Sequence, residues 1–381
     1  MATLPLAGFR LVDLSRVLAG PLAAMTLGDL GAKVIKIERP MTGDETRGWG
    51  PPFDGDGESA YYLSINRNKL SVALDLDAPA DLAILESLIR SADVVVDNFR
   101  PGTLERRGLN ISALLSEQPE LLWCTITGFG PMSSRPGYDF VVQAESGWMS
   151  ITGEPAGSPM KVGVALADVL AGKEATISML AGLASRGRGR TAEERRTFVS
   201  LAASAVAALV NVAQNSLVSG QNAMRWGNAH ANLVPYELFH AADRPIVIAV
   251  GSDSQWKSCA RALGLSALAD DERLATNSGR IANRETIVTA MSDRIASRPA
   301  SHWLTALARA GVPSGVVRTV PEALADVDAS PRTGVAPNAP GTVRLPPPKL
   351  DEHGALVRRY GWEAFERLTS EPATPDVSAA Q

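Results

Sequence analysis

Short apolar runs alternate with stretches of helical periodicity through the first 130 or so residues. Arg10–Leu14 and Lys33–Glu38 read as strands, and Pro21–Leu30 between them has the spacing of a helix. Pro21 suits the first turn of that helix and Gly31 its end. The pattern repeats with a strand over Leu70–Leu76, a helix from Pro79 to Ser91 behind a candidate cap at Asp77, and strands over Asp93–Val96 and Leu121–Thr127. Strands separated by helices of this length need right-handed crossovers, which predicts an α/β fold with a mainly parallel sheet covered on both faces. The longest apolar stretch, Phe198 to Leu217, is interrupted by Ser200, Ser204, Asn211, Gln214 and Asn215. It is too polar for a bilayer span and reads as one helix buried on most sides.

The texture changes near Arg225. A strand over Pro245–Val250, helices over Ser254–Leu263, Arg284–Ser297 and Ser301–Ala310, and the segment Val312–Val317 predict a smaller α+β domain closing near Pro321–Asp326. Val335–Leu350 carries five prolines and reads as an extended connector, followed by a helix over Val357–Leu368 and an unstructured tail over Glu371–Gln381.

Composition narrows the function classes. With 45% hydrophobic and 20% charged residues in 381, the chain is an ordinary globular protein long enough for two domains. A net charge of −4 with scattered basic residues argues against a nucleic-acid surface, and the cluster Arg186–Arg190 is followed by Glu193 and Glu194, as in a solvated loop. Cys124 and Cys259 are far apart in apolar settings, so neither a disulfide framework nor a C-x-x-C site is expected, and a reducing cytoplasm fits. The N-terminus lacks the features of a signal peptide, so no export is predicted, and no membrane association is expected.

Glu38 at the end of the second strand invites a dinucleotide-binding reading, but the turn after the first strand, Ser15-Arg-Val-Leu-Ala-Gly20-Pro21, has one glycine where the fingerprint needs three. His230, His240, His302 and His353 are isolated from one another, so no metal site is expected. Asp168 is the notable acid. It follows the strand-like run from Lys161 and precedes a long apolar helix, with Gly172 in a turn between them. An aspartate there ordinarily caps the helix by accepting backbone N–H bonds. It is also a carboxylate that can attack an activated acyl group.

Several segments, in this order and spacing, resemble the class III CoA-transferase family, which includes formyl-CoA transferase and members acting in carnitine and bile-acid metabolism. They are Arg16–Pro21, Gly31–Pro40, Gly43–Pro52, Asn66–Asp75, Asp97–Arg106, Arg135–Asp139 with Gln143 and Gly147, and the Asp168 segment. The resemblance covers nearly the whole chain and implies an interlocked homodimer of ring-like chains. Each chain would have a Rossmann-like large CoA-binding domain beginning with residues 1–220, a small α+β domain over 225–330, and a connector and return to the large domain over 331–370, before the 371–381 tail. It makes Asp168 the nucleophile, CoA or acyl-CoA the bound substrate, and a carboxylic acid the acceptor.

By the same resemblance, Arg16, Val17 and Ala19 lie near the pantetheine and Arg39 stacks on the adenine. Leu74, Asn98, Phe99, Arg100, Thr103 and Arg106 complete the CoA site; Leu18, Tyr138, Asp139 and Gln143 line the active site. The bland alternatives are surface ion pairs for Arg39 and Arg106, a solvated lysine for Lys69, and core packing for Tyr138. Asp77 stands where family members often carry a lysine, with Arg67 or Lys69 as possible compensation. Leu18 replaces a glutamine and the glycine-rich flap of formyl-CoA transferase is missing between Ser219 and Pro235, which disfavours an oxalate-type substrate. Arg225–His230 with Pro235-Tyr236 looks more like relatives acting on dicarboxylic or branched acids.

At a reference pKa of about 3.9, Asp168 would be fully ionised at neutral pH and able to attack a thioester. One rival is the racemase branch of the same fold, which uses a His and an Asp as paired bases; this chain has Gly137-Tyr138-Asp139 where that branch has Gly-His-Asp. The other is a non-catalytic CoA-binding protein.

Overall fold

Six strands build the principal sheet: β1 (Arg10–Asp13), β2 (Lys33–Glu38), β3 (Lys69–Ala73), β4 (Val94–Asp97), β5 (Leu122–Thr127) and β6 (Arg196–Ser200). In the computed structural model, which describes residues 3–368, they are all parallel and lie in the order β3-β2-β1-β4-β5-β6. The expected tail over Glu371–Gln381 lies outside the described residues. Side chains alternate between two cores. Val94 and Val96 of β4 join Leu11, Val34, Leu122 and Cys124 on one face, whereas Val95 joins Val12, Ile35, Leu70 and Trp123 on the other. Helices Ala19–Asp29 and Leu166–Ala184 cover the first face and helix Pro79–Arg90 the second. Burial on both sides is why these strands appear in the sequence as unbroken apolar runs.

The strand order reverses between β1 and β4, since β1 leads outward to β2 and β3 and β4 leads the other way. In an open parallel sheet the crevice outside the carboxyl ends of the strands at such a reversal is the natural ligand site. Here it is flanked by the loops that follow Asp13 and Asp97.

The apolar stretch from Phe198 to Leu217 is not one helix. Phe198–Ser200 finishes β6, with Phe198 opposite Thr125 and Val199 opposite Ile126. Two helices follow, Leu201–Ala207 and Val210–Ser219, bent by 70° at the break. The start of this stretch has no period that separates strand from helix, and β-branched Thr197 and Val199 favour the strand. The first helix buries Leu201, Ser204 and Ala205 while the second buries nothing. Among the described residues no single helix is long and apolar enough to cross a membrane. Val357–Leu368 is likewise two short helices, Gly354–Tyr360 and Ala364–Leu368, parted where Gly361 has a φ of +54°. Asp77 does not cap the helix after it; Ala78 is the N-cap, without a side-chain bond.

The chain divides into two compact units. The larger takes residues up to 148, 162–213, and from 327 onward; the smaller takes 149–161 and 214–326. Within the larger unit the C-terminal stretch binds back to the first layers, with Leu345 O accepting from Asn68 N at 2.9 Å and Arg344 donating to Gly28 O at 2.7 Å. The smaller unit has an antiparallel sheet of β7 (Tyr236–His240), β8 (Pro245–Ala249) and β9 (Ser314–Val316). Its Phe239, Ile246 and Ile248 pack with Trp256, Ile287, Met291 and Trp303 of the helices Asp253–Ala262, Arg284–Ala296 and Ala300–Arg309.

Candidate active site

The turn after β1 is held in a conformation its residues would not choose. Val17 has a φ of +71°, a left-handed backbone rarely adopted by a β-branched side chain and costing on the order of 1–3 kcal/mol. Asn98, just past β4, clamps the preceding residue on both sides: Arg16 N donates to its Oδ1 at 3.0 Å and its Nδ2 donates to Arg16 O at 2.7 Å. Asp44 Oδ1 accepts from Val17 N at 3.2 Å and from Thr46 N at 3.0 Å. Behind it, buried Lys36 lies 3.0 Å from Asp44 and donates to Ser15 O at 2.8 Å. Burial opposes the Lys36 charge, yet Asp44, Asp13 and Glu38 together raise its pKa above the ordinary lysine value. The strained turn is thus fixed by Asn98 and by Asp44, which is ion-paired to buried Lys36 although its Oδ2 makes no hydrogen bond.

Asp168 stands at the third position of the helix Leu166–Ala184 and borders the cleft over this turn. It is not the helix cap. The N-cap is Ala165, without a side-chain bond, and Asp139 takes the capping role by accepting from Ala167 N at 2.8 Å. The run from Lys161 is irregular rather than a strand, and Gly172 is inside the helix rather than in a turn. At Gly172 a Cβ would lie 2.7 Å from Ala19 O, so the glycine lets this helix approach the start of the Ala19–Asp29 helix, one turn from Asp168.

No hydrogen bond holds the Asp168 carboxylate among the described residues. Burial, and secondarily the neighbouring Asp139, push its pKa up from 3.8 to about 7. A first-turn position favours the ionised form, by about 0.3–1 kcal/mol, which is less than one pKa unit and is overridden. The expectation of a fully ionised group at neutral pH is therefore corrected: Asp168 is poised between forms because its site withholds solvent and donors. Asp139 is held by Gln143, whose Nε2 donates to its Oδ2 at 2.7 Å. Gln143 in turn accepts from Val162 N at 2.8 Å. Tyr61 feels the same carboxylates: burial first, then Asp168, Asp139 and Asp44, raise its pKa to about 12 and keep its hydroxyl protonated. Trp49 packs edge-on against Tyr61 at 5.2 Å.

Arg16, Val17, Leu18, Ala19, Asn98, Phe99, Arg100 and Tyr138 line the same cleft as Asp168. One wall depends on two glycines. A Cβ on Gly128 would lie 2.5 Å from Gly137 Cα, so the chain before Tyr138 crosses directly on the end of β5. An adjoining cleft is lined by Arg39, Leu74, Asp77, Thr103 and Arg107, and shares Arg16, Phe99 and Arg100 with the first. Contrary to expectation, Asp139 and Gln143 line neither cleft: Asp139 acts on Asp168 through its charge, and Gln143 acts through Asp139. Arg106 also lines neither, its Nη2 donating to Thr103 Oγ1 at 3.0 Å.

Lys69 is not a solvated lysine, and neither it nor Arg67 compensates for Asp77. Lys69 is fully buried on Asp13, Pro21 O and Asn66, each at 2.9 Å, and Arg67 pairs with Asp29 at 2.7 Å. The base nearest to Asp77 is Arg107, at 3.3 Å.

Glu45, Tyr61 and Arg107 were missed by sequence reasoning. Glu45 and Tyr61 lack a local signal, because only the fold brings Glu45 to the cleft and Tyr61 within electrostatic reach of Asp168; Asp77 and Arg107 are likewise joined only by the fold. In the smaller unit, Arg225 donates to Glu154 O at 3.2 Å and Gly157 O at 2.8 Å. Arg284 lies over Trp226 at 5.0 Å and donates to His230 O at 2.9 Å, so the Arg225–His230 segment is braced internally. Among the described residues no group of three or more His, Cys, Asp or Glu side chains is placed to hold a metal ion.

The model of CoA-transferase family III matches residues 6–358. The chain is 40% identical to a succinate–glutarate CoA-transferase of Agrobacterium fabrum, covering 93% of this chain and 94% of that one. It is 41% identical to human succinyl-CoA:glutarate CoA-transferase, covering 84% and 74% of the two chains. It is 36% identical to an acetyl-CoA:oxalate CoA-transferase of Acetobacter aceti, covering 93% and 95%. A crystal structure of a CAIB/BAIF family protein from Brucella suis, 38% identical, superposes with a TM-score of 0.82 over 94% of this chain and 99% of that one. The match to the family model across the two units, with relatives at 40% identity that are CoA-transferases, shows that this chain belongs to CoA-transferase family III and is a transferase of that type.

Proposed function

We propose that this enzyme moves CoA from an acyl-CoA donor to a dicarboxylic acid acceptor by covalent catalysis on Asp168. The observation that carries the reading is the unbonded Asp168 carboxylate bordering the cleft formed by Arg16–Ala19 and Asn98–Arg100 at the sheet reversal. The dicarboxylate preference is supported by relatives whose substrates are succinate, glutarate and oxalate. An acceptor of the succinate or glutarate kind fits the higher identity better than oxalate, as Leu18 and the missing glycine-rich flap also suggest.

In the first step Asp168 attacks the donor carbonyl carbon, the C–S bond breaks, and CoA leaves as a thiolate with a mixed aspartyl anhydride behind it. The thiolate attacks the Asp168 carbonyl carbon, releasing the donor acid as a carboxylate and leaving an aspartyl-CoA thioester. The acceptor carboxylate then displaces the thiolate to form a second anhydride. Attack of the thiolate on its acceptor-derived carbonyl yields the new acyl-CoA and regenerates ionised Asp168. Each tetrahedral oxyanion needs hydrogen-bond donors. In the adjoining cleft Arg39 would stack its guanidinium face on the adenine, leaving the N–H edge to pair with phosphate, while Leu74 and Thr103 border the nucleotide. The anhydride and thioester survive only if water is excluded, which fits a site where Asp168 is already poorly solvated. We further propose the interlocked homodimer that the family resemblance implies. Racemisation is disfavoured because, among the described residues, no histidine lines the cleft and Tyr138 stands where the racemase branch has its histidine.

The test is to incubate the protein with succinyl-CoA, trap with hydroxylamine or borohydride, and map the modified residue by mass spectrometry. Modification at Asp168 is expected. Turnover with Asp168 unmodified overturns the mechanism, and deuterium wash-in at the α-carbon without an acceptor acid overturns transfer in favour of racemisation.

A further inference from the structure

Two arginines at the junction of the clefts converge on one carboxylate. Arg16 Nη1 and Arg39 Nη2 both contact the same oxygen of Glu45, Oε1. Arg16 borders both clefts, Arg39 the adjoining one, and Glu45 the Asp168 cleft, so the cluster bridges their shared edge. Its polar groups are incompletely satisfied. Glu45 Oε2 and Arg16 Nε are both buried without a hydrogen-bond partner, so one acceptor and one donor are stranded beside the two shared contacts. Arg16 also lies 5.5 Å from the centre of the Phe99 ring, which keeps its guanidinium at the junction.

A single carboxylate is a poor match for two guanidinium groups with ten N–H donors between them. A diphosphate offers more acceptor oxygens, more charge and a span suited to two arginines. We infer that Glu45 is an internal stand-in for the diphosphate of the incoming acyl-CoA. It latches Arg16 and Arg39 together across the mouth between the clefts and is displaced when that diphosphate binds. The inference rests on the CoA reading above and adds a residue that sets affinity by competing with the ligand. The latch weakens CoA binding in exchange for arginines that are paired when the site is empty.

The test compares wild type, Glu45→Gln and Glu45→Ala by calorimetric titration with CoA, 3′-dephospho-CoA, pantetheine and inorganic pyrophosphate. Thermal melts first establish that each variant is folded, and Gln, isosteric with Glu at a side chain that is 36% exposed, is a mild change. Removing two partly exposed pairs is expected to tighten CoA, dephospho-CoA and pyrophosphate binding about three- to tenfold, with pantetheine unchanged. Equal or weaker CoA binding by both variants overturns the latch alone and makes Glu45 a positioning residue. A gain confined to CoA assigns the arginines to the 3′-phosphate and overturns the diphosphate assignment. Failure of the wild-type chain to bind CoA overturns the CoA reading and the latch with it.

Discussion

A carboxylate nucleophile has to be ionised when it attacks, yet a fully hydrated one attacks poorly. Asp168 sits between these demands, with its pKa at about 7 chiefly through burial and secondarily through Asp139. For the free enzyme kcat/KM should therefore rise as pH increases through about 7, following ionisation of Asp168. Asp139→Asn keeps an acceptor for Ala167 N but removes the charge, so the midpoint of this limb should move down by less than the full rise, because burial is the larger cause. An unmoved midpoint with intact activity would show that the limb belongs to another group. The same shift has a stability consequence. The folded pKa lies above the unfolded value, so the native state binds the extra proton and stability falls as pH rises from about 4 through about 7. Asp168→Asn removes that penalty while abolishing transfer. Its stability advantage over wild type should grow by on the order of 1–3 kcal/mol between pH 5 and pH 8, allowing for partial solvent screening, as read from denaturant midpoints at each pH. A constant difference would mean that Asp168 titrates normally.

At the scale of elements, the site depends on one helix lying unusually close to another. Gly172→Ala would gain roughly 0.5–1 kcal/mol from helix propensity if the position were open. It is not open, because the new Cβ would meet the carbonyl of Ala19 at 2.7 Å. Relieving such a contact costs about 1–3 kcal/mol, so overpacking wins. The variant should melt lower and, because the displaced turn carries Asp168, lose kcat more than KM; a higher Tm would refute the close approach. Asn98→Ala removes both bonds to the Arg16 backbone and should cost about 1–2 kcal/mol while raising KM for acyl-CoA, with kcat less affected. Strands β1 to β5 were legible because each is a short apolar run bounded by a helical period or a turn residue. β6 was not, since Phe198–Ser200 runs without punctuation into Leu201–Ala207, and only pairing with Leu122–Thr127 decides for strand. The helix start at Leu166 was misplaced for a related reason: its capping acceptor is Asp139, 28 residues away from Ala167 and invisible to local spacing.

For the whole molecule, the sheet reversal explains why residues scattered over 150 positions form one cleft. Arg16 and Asn98 follow the two strands where the order turns, and Asp168 arrives on the helix that covers the β1 and β4 face. Sequence motifs could name these residues but not the network that fixes Val17, since Lys36, Asp44 and Asn98 meet only in the folded chain. The proposed interlocked dimer makes a demand at this scale that no ordinary dimer makes. The helix Val210–Ser219 buries none of its residues within the chain, and Leu217 and Val218 remain 77% and 78% exposed, an apolar surface that a second copy would cover. Ordinary dimers exchange subunits by dissociation at a rate set by their interface. Threaded rings cannot separate until at least one chain opens, so exchange is limited by unfolding, which is slow for a folded domain. Two preparations carrying different affinity tags, mixed under native conditions for days, should therefore form no mixed dimer. The same mixture unfolded in guanidinium and refolded together should give mixed dimers in the proportion that random pairing predicts. Dilution should not produce monomers before activity and secondary structure are lost together. Mixed dimers forming within hours without denaturant would show that the chains merely touch, and the proposed threading would then be wrong.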